Sequence, residues 1–220
     1  MTLVYLVRHG VTEYNVHGQF QGSQDVPLDA LGRRQAQRLG ERFAEVEVDS
    51  VYSSPLIRAV QTAQPIADVH GLPVIEEPRF REIYAGVFEG RRSTVNKREY
   101  PEEFGNMEFS PGRFCPPGGE TFAHLYSRVC EGMRELLERE DGRSTVIVTH
   151  YFPSAAITNF ALGSSLEEVR PITTLNASVT LFEFDGLRCL HTVYTGDTSH
   201  LLLPDGTDLS YGVGAAFAKS

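Results

Sequence analysis

Thr2-Leu3-Val4-Tyr5-Leu6-Val7 is followed directly by Arg8-His9-Gly10. A six-residue apolar run rich in branched and aromatic side chains, with no polar alternation, reads as a strand buried on both faces. A guanidinium, an imidazole and a residue without a Cβ sit at its carboxyl end. The fold class depends on whether this arrangement recurs along the chain.

It does recur, with helical stretches between the strands. Pro27 to Phe43 places Leu31, Ala36, Leu39 and Phe43 on one helical face, with Asp29 as the cap. Val48 to Tyr52 reads as a second short strand. Ser54-Pro55 reads as the start of a helix that runs to about Val69 and stops at Gly71. Leu72 to Ile75 is a candidate third strand. Glu120 to Glu140 carries Phe122, Leu125, Tyr126, Val129, Met133, Leu136 and Leu137 on one stripe, and is the clearest helix. Thr145 to Val148 is a further buried strand, and a helix follows through Ala155 to Leu162. Val179 to Phe184, the Asp185-Gly186 turn and Leu187 to Val193 form a hairpin at the sheet edge. Between Glu76 and Gly119 the periodicity weakens, prolines and glycines intervene, and Arg91 to Phe104 reads as a polar helix. Residues 76–119 are expected to form a lid inserted within one domain spanning 1–220. Strands alternating with helices imply an α/β fold, a three-layer α/β/α sandwich with a mostly parallel central sheet.

Composition narrows the function classes. In 220 residues there are 20 basic and 29 acidic side chains, a net charge of −9. Such a balance disfavours nucleic acid or an anionic membrane as partner. The N-terminal residues do not resemble a signal peptide, and no apolar run approaches the roughly 20 residues that span a bilayer. Cys115, Cys130 and Cys189 are odd in number and widely spaced, which suggests a reduced, cytoplasmic protein in which they are packing residues. No zinc-ligand spacing is present.

Open α/β sheets bind ligands beyond the carboxyl ends of their strands. Arg8-His9 follows the first strand, Arg58 lies in the first turn of the helix after the second, and Thr149-His150 follows the strand Thr145 to Val148. Two arginines and two histidines are thus expected at one edge. A cysteine phosphatase needs arginine six positions after its cysteine, but Thr121, Leu136 and Thr195 stand there. The only lysines are Lys97 and Lys219, so no Gly-x4-Gly-Lys phosphate loop exists.

From Leu3 to about Thr195 the sequence resembles the histidine phosphatase superfamily, also called phosphoglycerate mutase-like. Arg8-His9-Gly10 with Thr12 and Asn15 resembles its opening signature, continued by Gln21-Gly22, Pro27-Leu28 and Gly32. Ser53-Ser54-Pro55-Leu56 with Arg58 and Thr62 resembles a second motif. Arg81-Glu82, Gly86 and Glu89-Gly90 resemble a third, Pro117-Gly118-Gly119-Glu120-Thr121 a fourth, and Thr149-His150 a fifth.

The resemblance implies a nucleophile at His9 and a general acid at Glu82, with Arg8, Arg58 and His150 around the phosphoryl group. Asn15, Gln21, Gly22 and Tyr151 are further candidates for binding substrate, although Asn15 and Gln21 could instead cap local turns. The chemistry fits the residue types. Phosphoryl transfer is mostly positioning and charge stabilisation, and guanidinium forks suit phosphate oxygens. An imidazole attacks phosphorus only when neutral, and two arginines favour that form. His150 is expected to be protonated once phosphate is bound. A phosphate dianion and partial burial would raise the Glu82 pKa, so that it can protonate the leaving alkoxide and afterwards activate water. No metal and no cofactor is implied, and the partner is a small phosphate ester. A homodimer is possible.

The family includes mutases and phosphatases. The mutases are longer and carry Glu-Arg-His-Tyr-Gly where this chain has Glu82-Ile83-Tyr84-Ala85-Gly86. The chain therefore resembles the phosphatase branch, similar to broad-specificity and α-ribazole phosphatases. A phosphoglycerate mutase is the alternative, and a non-catalytic phosphate-binding module is a third reading. Tyr151 departs from the pattern, since glycine usually follows the second histidine. It is expected to narrow the pocket or to offer its hydroxyl to substrate. Val11 replaces a more usual polar residue. Arg91, Arg92, Lys97, Arg98 and Arg113 read either as a solvated face or as a site for a second anionic group. Phe88, Tyr100, Phe104, Phe109 and Phe114 read as lid packing or as a pocket wall. His17, His70, His124, His191 and His200 lack motif context and are read as structural.

Overall fold

The computed structural model describes residues 1–172 and 174–211. The chain runs β1 (Thr2–Arg8), the single turn α1 (Glu13–Val16), α2 (Ala30–Phe43), β2 (Ser50–Ser53), α3 (Ile57–His70) and β3 (Val74–Glu76). It continues through α4 (Ser93–Glu99), α5 (Pro101–Phe109), α6 (Phe122–Arg139), β4 (Ser144–Thr149), α7 (Tyr151–Ala161), β5 (Val179–Asp185) and β6 (Arg188–Asp197).

The six strands form one sheet in the order β3-β2-β4-β1-β5-β6. The pairs β3–β2, β2–β4 and β4–β1 are parallel, whereas β1–β5 and β5–β6 are antiparallel. Val4, Leu6, Tyr52, Ile147 and Phe182 pack on one face with residues of α6 and α7. Tyr5, Val7, Val51, Val146 and Val148 pack on the other with α2 and α3. This is the expected three-layer α/β/α sandwich. The helix after β1 and the helix after β4 lie on opposite faces although the two strands are neighbours. A crevice therefore opens at their carboxyl ends, where such sheets bind ligands.

Local boundaries differ from expectation where distant partners decide them. The helix expected from Ser54-Pro55 starts at Ile57. The Ser54 hydroxyl accepts the Leu56 N–H at 3.3 Å, and the Ile57 N–H donates to Asp25 from another segment at 2.6 Å. The single polar helix expected over Arg91 to Phe104 is two, because Tyr100, at φ −132° and ψ 62°, precedes Pro101 and is driven out of helical geometry. The helix expected around Ala155 begins at Tyr151, directly after His150. The turn α1, unseen in the periodicity, is made by a capping box between Thr12 and Asn15. Cys115 is exposed and so is not a packing residue, while Cys130 is buried.

Two glycines fix the loop after β1 against α2. A Cβ on Gly32 would sit 2.0 Å from the Val11 carbonyl oxygen, and one on Gly10 would sit 2.8 Å from the Gly32 oxygen. The loop that carries His9 thus rests backbone to backbone on the first helical turn. Gly32→Ala is expected to displace this loop and cost at least tenfold in whatever activity His9 supports, about the effect of a 1 Å misplacement or less. Retention of full activity would show that the contact does not position the loop. On the opposite face, Leu125 of α6 is fully buried. Leu125→Ala should lower unfolding free energy by about 2–5 kcal/mol in denaturant titration, and a loss below about 1 kcal/mol would mean that this face is not the packed core described.

Candidate active site

The strand ends bring Arg8, His9, Arg58 and His150 together, and Glu82 joins them from the segment between β3 and α4. All five side chains are buried. They lie at one end of a cavity of about 420 Å³, which Arg8, His9, Arg58 and Glu82 line directly.

His9 follows β1, and its N–H donates to the Thr149 carbonyl of β4 at 2.9 Å. Its Nδ1 lies 2.7 Å from the Gly10 carbonyl oxygen. A carbonyl can only accept, so Nδ1 carries the proton and Nε2 keeps its lone pair. Burial first, then Arg58 and Arg8, hold the His9 pKa well below the usual imidazole value, against the opposing effect of the Gly10 bond.

His150 follows β4, with its ring 5.1 Å from that of His9, centroid to centroid. Its Nδ1 accepts from Arg58 Nε at 3.2 Å, which leaves Nε2 as the protonated nitrogen, 2.7 Å from the Ser54 hydroxyl oxygen. Burial, then Arg58, His9 and Arg8, depress its pKa well below the ordinary value. The empty site therefore holds two neutral imidazoles. The positive His150 expected with bound phosphate would require ligand charge to reverse this.

Arg58 is fully buried in α3. Its Nη1 donates to the Gln24 carbonyl at 2.7 Å and its Nη2 to the Gly22 carbonyl at 2.9 Å. Burial pushes its pKa down to about 10, still cationic at neutral pH. Gly22 adopts φ +55°, and a Cβ there would meet the Glu89 carboxylate at 2.3 Å, so glycine is required where its carbonyl meets Arg58. Arg8 donates from Nη1 to the Thr174 carbonyl at 2.5 Å and lies 5.6 Å from the Tyr151 ring centroid. Among the described residues its buried Nε has no acceptor. That orphaned donor on a cation is an anion site in waiting.

Glu82 sits at the start of α7. Its Oε1 accepts from the Ile83 N–H at 2.9 Å and the Phe152 N–H at 3.3 Å, and its Oε2 from the Tyr151 N–H at 3.1 Å. These donors and the two arginines favour the carboxylate, but burial outweighs them and raises its pKa. Asn15 and Gln21 make local hydrogen bonds and also line the cavity: Asn15 caps α1 and Gln21 accepts the Thr12 hydroxyl at 2.9 Å. Tyr151 also lines it, on the first turn of α7.

Other residues around the site carried no sequence motif. The Asn176 amide donates to the His9 carbonyl at 3.0 Å and the Gly10 carbonyl at 3.4 Å, and the Ala177 N–H reaches the Arg8 and His9 carbonyls at 3.0 and 3.2 Å. Gln35 accepts the Val11 N–H at 2.9 Å. Thr62, a motif residue, accepts the Gly10 N–H at 3.0 Å. The far wall includes Phe20, Met107, Phe109, Pro171 and Ile172. The cations Arg91, Arg92, Lys97, Arg98 and Arg113 do not line the cavity; Arg91 and Arg98 pair with Glu99, and Lys97 pairs with Glu108. Among the described residues no group of three or more His, Cys, Asp or Glu side chains is placed to hold a metal ion, and no helix is long and apolar enough to cross a membrane.

Comparison with known proteins places this geometry. Residues 4–195 match the family model of the histidine phosphatase superfamily, branch 1. Phosphoserine phosphatase 1 of Hydrogenobacter thermophilus is 33% identical over 188 residues, covering 86% of this chain and 89% of that protein. A probable phosphoglycerate mutase, GpmB, of Proteus mirabilis is 33% identical over 207 residues, covering 91% and 95%. The solved structure of Bacillus stearothermophilus YhfR superposes with a TM-score of 0.83 at 32% identity, covering 91% of this chain and 99% of that one. Phosphatases and mutases thus both occur among its relatives, and the chain itself belongs to the histidine phosphatase superfamily.

Proposed function

We propose that the chain is a metal-independent phosphomonoesterase that works through phosphorylation of His9. The observation that carries this reading is the His9 ring: its proton is held on Nδ1 by Gly10, and its free Nε2 shares a buried cavity with Arg8 and Arg58. The guanidiniums supply the positive charge that a phosphoryl group in flight requires.

In the first step the Nε2 lone pair forms a P–N bond as the ester P–O bond breaks. The departing alkoxide takes the proton from Glu82, whose buried carboxyl is biased toward the protonated form. In the second step a water attacks phosphorus, its proton returns to the Glu82 carboxylate, and the P–N electrons return to Nε2. Phosphate leaves and the site is restored. His150 and Arg58 would hold the equatorial oxygens, and Asn15, Gln21 and Tyr151 would border the substrate.

A mutase would use the same phosphohistidine but pass the phosphoryl group back to an alcohol. The phosphatase reading is supported by Glu82-Ile83-Tyr84-Ala85-Gly86 where the mutases differ. The acidic balance supports small esters over nucleic acid or a membrane, and the odd number and wide spacing of the cysteines support a cytoplasmic enzyme. Residues 1–220 are read as one catalytic unit, in which 76–119 supply Glu82 and part of the far wall.

His9→Ala should abolish hydrolysis of 4-nitrophenyl phosphate, and rapid quench of the unaltered enzyme should trap an acid-labile phosphohistidine. Undiminished turnover by His9→Ala would end the proposal, and a strict requirement for added metal would end its metal-free form. Phosphoglycerate isomerisation outpacing phosphate release would favour the mutase.

Glu82→Gln should slow an alkyl phosphate about 10²–10⁴-fold and the nitrophenyl ester far less, because nitrophenolate leaves without a proton. Equal losses would remove Glu82 from the acid role. The acid limb of the pH profile of kcat/KM on the alkyl ester should report His9 gaining a proton and lie at lower pH than an ordinary imidazole would place it, because burial and the two arginines depress its pKa. The alkaline limb should report Glu82 ionising and lie at higher pH than an ordinary carboxyl would place it, because burial raises its pKa. Glu82→Gln should erase the alkaline limb only, and its persistence in that variant would assign it elsewhere.

A further inference from the structure

Beyond Arg8, His9, Arg58 and Glu82, the cavity is lined largely by apolar side chains, with Gln19, Ser93 and Glu108 among them. Phe20, Met107, Phe109, Phe152, Pro171 and Ile172 contribute to it. Phe109 ends α5, lines the cavity and is 79% exposed, so its ring is open to pack against a bound molecule. Charge in this part of the lining has one sign. Glu108 lines the cavity; its partner Lys97, with Nζ 3.0 and 3.3 Å from its two oxygens, is the more exposed of the two and lies outside the lining, so the carboxylate is the charge presented to the cavity. Arg91 and Arg98 are taken by Glu99, and Arg128 by Glu120. Among the described lining residues the only cations are Arg8 and Arg58, at the phosphoryl end. The carboxyl end of α5, with its negative dipole pole, also lies at this wall.

We propose that the alcohol half of the substrate is apolar and uncharged, seated against Phe20, Met107, Phe109 and Ile172, and that Glu108 excludes esters bearing a second anionic group. This rests on the phosphatase reading and specifies its substrate class. A monoester already brings its dianion to Arg8 and Arg58. A carboxylate on the alcohol half would lose its water against apolar rings and face Glu108, with no cation among the described residues lining that wall to meet it. A phenyl or branched alkyl body would bury its surface there at no such cost.

The test compares kcat/KM on alkyl esters with similar leaving groups: 2-phenylethyl phosphate, ethyl phosphate, O-phosphoserine and 3-phosphoglycerate. The phenylethyl ester should exceed ethyl phosphate about tenfold or more, the scale of discrimination an apolar pocket provides. The two carboxylated esters should fall below ethyl phosphate. Glu108→Gln frees Lys97 and should raise the ratio of 3-phosphoglycerate to ethyl phosphate about three- to tenfold, as expected for one charge at a partly solvated rim. Phe109→Ala should lower the ratio of phenylethyl to ethyl phosphate severalfold. A wild-type preference for either carboxylated ester, or a Glu108→Gln ratio that does not move, overturns the proposal. Burst labelling of His9 by 4-nitrophenyl phosphate is the control: labelling with the wrong alkyl preference sinks the substrate class alone, whereas failure to label and to turn over any ester sinks both readings.

Discussion

The hydrogen bond from His9 Nδ1 to the Gly10 carbonyl, at 2.7 Å, decides which nitrogen of the ring can react. A neutral imidazole has one donor and one acceptor, and fixing the donor fixes the other. Much of the surrounding structure serves to hold that carbonyl still. Asn176 reaches the His9 and Gly10 oxygens, Ala177 the oxygens of Arg8 and His9, and Thr62 the Gly10 amide. Gly32 brings α2 so close that no side chain fits between. The loop after β1 is held from β4, α2, α3 and the segment before β5, which is what precise placement of one ring atom requires.

The charge arrangement is unfavourable without a ligand. Two guanidiniums and two imidazoles are buried with a single carboxyl, and burial opposes the charged form of each. The imidazoles respond by staying neutral. The arginines cannot, and they lean on backbone carbonyls of Gly22, Gln24 and Thr174. Backbone dipoles offset part of the desolvation cost while leaving the net positive field in place. An incoming dianion meets that field and the Nε of Arg8, which has no acceptor among the described residues. Burial first, and the same field after it, keep His9 unprotonated, so anion recognition and readiness of the ring share an electrostatic source.

The sandwich was legible in the sequence because its signals are local and periodic. The apolar runs at Val4 to Val7 and Val146 to Val148 and the helical stripe from Phe122 to Leu137 each announce themselves within a window of a few residues. Arg8, His9, Arg58 and His150 were legible for another reason: strand-end positions on neighbouring parallel strands must converge. What was not legible depends on partners far away in the chain. The start of α3 is set by Asp25, and Asn176, 167 residues from His9, supports the loop that carries His9 through an interaction no spacing rule contains. The cations of residues 91–113 illustrate the limit best. Their number left a solvated face and an anion site both open; Arg91 and Arg98 share Glu99, Lys97 pairs with Glu108, and a count of charges cannot show which of them are already paired.

Reaction and selection draw on different kinds of structure. The phosphoryl end is built where strands stop, on elements packed on both faces, and its side chains are almost wholly buried. The far wall comes partly from α5, a nine-residue helix whose last residue is largely exposed and whose acid Glu108 is held by a surface lysine. Substitution at the first end disturbs hydrogen bonds shared among strands and two helical layers. Substitution at the second alters a few side chains that little else relies on. A family that keeps one chemistry while varying its alcohol needs this division, because the residues that choose the substrate must be free to change without moving His9.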